Sequence, residues 1–187
     1  MTGNYLVIFL GAFAIFWYNI VYTPLKMKSA LAIIPGALVG SIPPFIGWTA
    51  GGGDIMNPPV WALALFFFIW QIPHFWLLLM VYEDDYKKAG FPVLTEIFSI
   101  QQLKRITFIW IAALAATCMM FPLFHIGSNN LLTDILLFAA GIWLIWRTKS
   151  LISYYFKTKP IRLVFVDINM YVLAVAMLLF IDKLILK

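Results

Sequence analysis

The sequence predicts an all-α polytopic membrane protein with six transmembrane helices. Three observations carry that reading. Hydrophobic residues make up 64% of the 187-residue chain and charged residues only 11%, with a mean hydropathy of +0.95. A soluble domain carries roughly 25% charged residues, so too little polar surface exists here to cover a soluble particle. The apolar residues gather in runs long enough to cross a hydrocarbon core of about 30 Å, which takes about 17–25 residues of helix. The loops between the runs alternate between rich in Lys and Arg and devoid of both.

The runs cover residues 5–21, 30–50, 60–82, 106–126, 131–147 and 163–181. Each is too long for an ordinary strand, and internal Pro and Gly are tolerated where neighbouring helices satisfy the freed backbone groups. Lys26 and Lys28 follow the first run. Lys87, Lys88, Lys104 and Arg105 follow the third, and Arg147, Lys149, Lys157, Lys159 and Arg162 follow the fifth. Residues 51–59 and 127–130 contain no Lys or Arg. The positive-inside rule therefore puts the three charged loops in the cytoplasm and both chain ends on the other side. The net charge of +5 reads as topology, with the lipid bilayer as partner and no nucleic acid implied. The single cysteine, Cys118, rules out an internal disulfide. The first run has neither the positive flank nor the small-residue cleavage pattern of a signal peptide.

Two polar features stand out. Glu83, Asp84 and Asp85 put three carboxylates side by side in a chain with few acids, and Lys87 and Lys88 follow at once. Adjacent like charges favour a nearby cation, and magnesium binds through one or two carboxylates plus phosphate oxygens. The lysines could hold the remaining phosphate charge. Such a cluster could equally be a solvated loop of weak pairs. His74 is the second feature. It follows Pro73 inside an apolar run, with Gln71 and Trp70 three and four residues before it and expected on the same face. A continuous helix would set His74 about 16 Å from Asp85, well inside the bilayer. An ionisable residue there faces a cavity or a neighbouring helix. His125, near the end of its run, reads as interfacial. Asp167 and Asn169 are expected at the start of the last helix, in a structural role.

The motifs resemble the UbiA-like membrane prenyltransferases, and specifically their heme-directed branch. They are Tyr22-Thr23-Pro24-Leu25-Lys26, Pro35-Gly36-Ala37, Pro43-Pro44-Phe45-Ile46-Gly47-Trp48, Trp70-Gln71-Ile72-Pro73-His74-Phe75 and Asp84-Asp85-Tyr86-Lys87-Lys88-Ala89-Gly90-Phe91-Pro92. The resemblance implies a nine-helix bundle around a central cavity, of which this chain matches helices four to nine. It implies farnesyl transfer from farnesyl diphosphate to the 2-vinyl group of heme B, giving heme O, with Mg2+ as cofactor. Asp84 and Asp85, with Glu83 beside them, would bind magnesium. Lys26 and Lys28, with Lys87 and Lys88, would hold the diphosphate, and Lys26, Lys28, Asp84 and Asp85 would be catalytic. His74, Gln71 and Trp70 would contact heme. The implied setting is a bacterial cytoplasmic membrane, with heme A synthase or terminal oxidase assembly downstream. The family's first acidic motif, Asn-x-x-x-Asp-x-x-x-Asp, has no counterpart here, so an amino-terminally incomplete chain of little activity by itself is expected. Two alternatives remain, a related prenyltransferase acting on a quinone precursor and a non-catalytic transporter or assembly factor.

Overall fold

The computed structural model describes residues 2–127, 130–152 and 160–185, and among them finds helices and turns but no strand. Helix α1 spans Thr2–Phe16 and runs on through a π-helical turn, Trp17–Tyr22, into the short α2, Thr23–Lys26. Then come α3 (Ile33–Ala50), α4 (Pro58–Val81), α5 (Glu83–Lys88), α6 (Ile100–Met119), α7 (Leu131–Thr148) and α8 (Ile161–Ile185). The expected six long helices are therefore present. Five spans are long and apolar enough to cross a membrane, namely α1 with its extension, α3, α4, α7 and α8.

The sixth long helix, α6, departs from its expected bounds at both ends. It starts at Ile100 because Ser99 and Gln102 form a reciprocal capping box. Its first turns thus carry Gln101, Gln102, Lys104 and Arg105. It stops at Met119, and Phe121–Phe124 form a tighter turn around Pro122 that ends on exposed His125 in the left-handed region, φ 54°. Two other expectations are corrected. The helix does not continue from His74 to Asp85, because α4 ends at Val81 and Tyr82 (φ −112°, ψ 26°) breaks it before α5. Asp167 and Asn169 do not begin the last helix but lie about two turns inside it. Lys157, Lys159 and Lys187 fall outside the described residues.

Helix α4 is the hub, packed against α3, α6 and α8, while α7 bridges α6 and α8 and α1 leans on α3. Its buried residues reach all three apolar clusters: Val60 and Ala64 in one, Ile72, Trp76 and Leu79 in another, Phe66 and Leu77 in the largest. Lipid is as apolar as leucine, so helices associate through close packing and interhelical hydrogen bonds rather than apolar burial alone. Both occur where α1 meets α3. Trp17 Nε1 donates to Pro35 O at 2.9 Å. Beside Pro24, which lacks an N–H, both the Thr23 backbone N–H and the Thr23 hydroxyl (2.9 Å) donate to Tyr18 O and close the wider turn.

Candidate active site

The π turn, the α4 end and α5 enclose a cavity of about 370 Å³. Tyr18 and Tyr22 come from the π turn, Lys26 from α2, Phe75 and Leu79 from α4, Asp85 and Tyr86 from α5, with Phe91 just beyond. The Lys26 ammonium sits 5.7 Å from the Tyr22 ring centre and 5.9 Å from that of Phe91. Two aromatic faces thus hold it by cation–π attraction. Among the described residues it makes no ion pair. The exposed Asp85 carboxylate lines the same cavity.

The other charged candidates divide. Glu83 is turned to structure: it accepts from the Lys87 ammonium one turn on and from the Thr95 hydroxyl. Those two bonds hold its carboxyl below the usual glutamate range, and the same pairing holds the Lys87 ammonium above the usual lysine range. They also pin α5 to the segment that follows it. Glu83 and Lys87 are therefore not among the cavity residues, and neither are the exposed Asp84, Lys28 and Lys88. The three acids occupy the first turn of α5, where the helix dipole favours negative charge. Of these, Asp85 reaches the cavity. Among the described residues no three His, Cys, Asp or Glu side chains gather to hold a metal. One cavity carboxylate with a second beside it suits magnesium carried with a diphosphate, and does not suit an all-protein cage.

The three residues expected near heme also separate. The His74 and Trp70 rings lie 4.9 Å apart, and His74 Nδ1 is 2.8 Å from Asn169 Oδ1 on α8. Gln71 instead turns toward α3. A smaller cavity of about 50 Å³, sharing Tyr18, Tyr22, Ile33 and Phe75 with the first, runs up to it. That approach depends on small residues one turn apart on α3. A Cβ on Gly40 would lie 1.6 Å from Gln71 Oε1, and one on Gly36 would lie 2.6 Å from the Tyr22 ring. Phe75 joins the two halves, since it lines both cavities and its ring centre is 5.3 Å from that of His74. Trp70 Nε1 and Gln71 Oε1 are buried with no hydrogen-bond partner among the described residues. Sequence reasoning missed Tyr18 as a wall residue and Asn169 as the partner of His74. An amide inside an apolar helix is the signal that could have found Asn169.

This arrangement sets one lysine and one carboxylate in a cavity whose other walls are largely aromatic and apolar, at the end of apolar helices. The chain belongs to the UbiA prenyltransferase family, which it matches over residues 1–170. Among curated relatives, a Geobacter sulfurreducens protein named protoheme IX farnesyltransferase is 44% identical over 122 residues, 65% of this chain and 45% of that protein. An Oleidesulfovibrio alaskensis protein of the same name is 31% identical over 184 residues, 98% of this chain and 62% of that protein. Protoheme IX farnesyltransferase 2 of Bacillus subtilis is 34% identical over 152 residues, 78% of this chain and 48% of that protein. The chain thus spans between 45% and 62% of the length of these three relatives. No solved structure matches it.

Proposed function

We propose that this chain binds farnesyl diphosphate at the Lys26–Asp85 cavity and serves transfer of its farnesyl group to the 2-vinyl group of heme B, where water then adds to give the hydroxyethylfarnesyl group of heme O, with diphosphate and a proton released. The observation that carries the reading is an ammonium with no ion pair among the described residues and a carboxylate in one cavity whose other walls are largely aromatic and apolar. The names of the relatives support the choice of protoheme and farnesyl. Asp85, with Asp84 beside it, would hold magnesium, which would stabilise charge on the departing diphosphate. Lys26 would meet a phosphate oxygen as a point charge, and Lys28, Lys87 and Lys88 would add attraction at the mouth. As the allylic carbon–oxygen bond breaks, Tyr22, Phe75 and Phe91 would keep water from the cationic carbon, and their ring faces would favour its charge. His74 would meet the heme from the Phe75 side. The charged loops would place this mouth on the cytoplasmic face of a bacterial inner membrane, and heme O would pass to heme A synthesis or oxidase assembly.

The test is magnesium-dependent binding of farnesyl diphosphate to the chain in detergent micelles. Binding clearly weakened in Asp85→Asn and Lys26→Met, but little changed in Lys88→Met, is the expected result. Equal binding in all variants would sink the proposal. Heme O formed by membranes carrying the chain would extend it from binding to transfer.

A further inference from the structure

The contact between His74 and Asn169 fixes more than a distance. Asn169 Nδ2 donates to Phe165 O at 2.6 Å, one turn back on α8. A backbone carbonyl can only accept, so the amide nitrogen must be the end that faces it. The amide oxygen then faces His74 and also can only accept. The His74 Nδ1 atom, 2.8 Å away, therefore carries the proton. In a neutral imidazole one nitrogen donates and the other accepts, which leaves the lone pair on Nε2. Nε2 has no hydrogen-bond partner among the described residues. The ring is held as well: Trp70 lies 4.9 Å and Phe165 5.0 Å from it, centre to centre, and both are tilted across it.

We propose that Asn169 is a positioning residue that keeps His74 in the Nδ1–H tautomer and so presents the Nε2 lone pair to the heme iron. The inference rests on the reading above that His74 meets heme. Its physical basis is general. A hydrogen bond to the far nitrogen of a metal-binding histidine fixes its tautomer and orientation and raises its basicity as a ligand.

The experiment uses the chain labelled with 15N-histidine, with ferric heme B as the probe. The chain has two histidines, so His74→Ala assigns the signals. Without heme, the His74 signals should report Nδ1–H. With heme, a histidine-ligated absorption spectrum should appear and vanish in His74→Ala. Asn169→Leu should mix the tautomers and weaken heme affinity by roughly tenfold, as for other lost partners of metal-binding histidines. Asn169→Asp keeps an oxygen acceptor and should restore both readouts. A His74 ring found as Nε2–H, with heme ligation intact, overturns this inference alone, and that measurement needs no variant at residue 169. A heme spectrum unchanged in His74→Ala overturns the heme reading itself, and leaves Asn169 with no ligand to position.

Discussion

Asp85 and Asp182, near opposite ends of the helix bundle, sit in opposite kinds of surroundings. At the cavity end, Asp85 is exposed and lines the same cavity as Lys26, which has no ion pair among the described residues. At the far end, Asp182 is 2% exposed and accepts a hydrogen bond from the buried Thr133 hydroxyl on α7. Lys183, next to it, donates to Gly127 O at 3.0 Å and ties the preceding loop down. Asp167 follows the Asp182 pattern, buried and bound by Arg147 at 2.8 Å. A buried carboxylate matched to protein donors has its bonding met by the fold, and removing it leaves those donors stranded. A carboxylate set in a cavity without such donors is available to something else. The contrast separates acids whose bonding holds helices together from Asp85, for which a ligand is proposed above.

The largest effects should come from exchanging those roles. Asp182→Ala strips Thr133 of its acceptor where water is shut out, and should destabilise the bundle by about 2–3 kcal/mol. Thermal unfolding in detergent reads that loss, with farnesyl diphosphate affinity expected to stay as in the parent. Asp85→Asn should do the reverse. Magnesium-dependent affinity should fall by tenfold or more, about 1.4 kcal/mol, with stability within about 0.5 kcal/mol of the parent. Similar destabilisation by both substitutions would erase the distinction drawn here.

A second comparison lies within α3. Gly40→Leu would drive side-chain atoms into Gln71 and push α3 from α4, costing about 1–3 kcal/mol. Gly47→Ala on the same helix meets nothing within 4 Å and should be near neutral. If unfolding of the two variants is indistinguishable, close approach at Gly40 does not shape the site. A smaller effect separates the lysines. Lys26→Met should weaken diphosphate binding about threefold to tenfold, since it removes a charge-assisted contact worth roughly 1 kcal/mol or more. Lys28→Met, exposed and outside the cavity, should change it less than about twofold, and that change should vanish with added salt. Titration calorimetry at two salt concentrations checks both.

The smallest effect concerns pH. Glu83 titrates below its ordinary range in the folded chain, so its bonds to Lys87 and Thr95 stabilise the loop above that range. They are lost as pH falls through the depressed value. Hydrogen exchange over residues 83–96, corrected for its intrinsic pH dependence, should quicken on acidification. Glu83→Gln should exchange quickly throughout and show little further change. A wild-type loop equally protected across that range would remove Glu83 from the anchoring role.

Much of this protein is legible in the chain itself. The length and apolarity of a membrane span are properties of consecutive residues, so the long helices and the charge alternation could be read directly. The Glu83–Lys87 spacing of four and the Ser99–Gln102 spacing of three are also local signals, of a helical pair and a capping box. Lys26, Asp85 and His74 were recognisable as candidates by residue type and motif. What each one touches was not.

That was decided by tertiary packing. The break at Tyr82 rotates the acids relative to α4, so that one of three adjacent carboxylates lines the cavity while its neighbour Glu83 anchors a loop. Trp70 and Gln71, consecutive in sequence, serve different neighbours because α4 packs on α8 along one side and α3 along another. The hydrogen bond between His74 and Asn169 joins residues 95 positions apart. Local periodicity cannot pair such residues, because it records which side of a helix a residue occupies and not which helix comes to meet it. The chain by itself determined the membrane helices and the chemical types available at their ends. The packing around α4 determined which of those groups share a cavity.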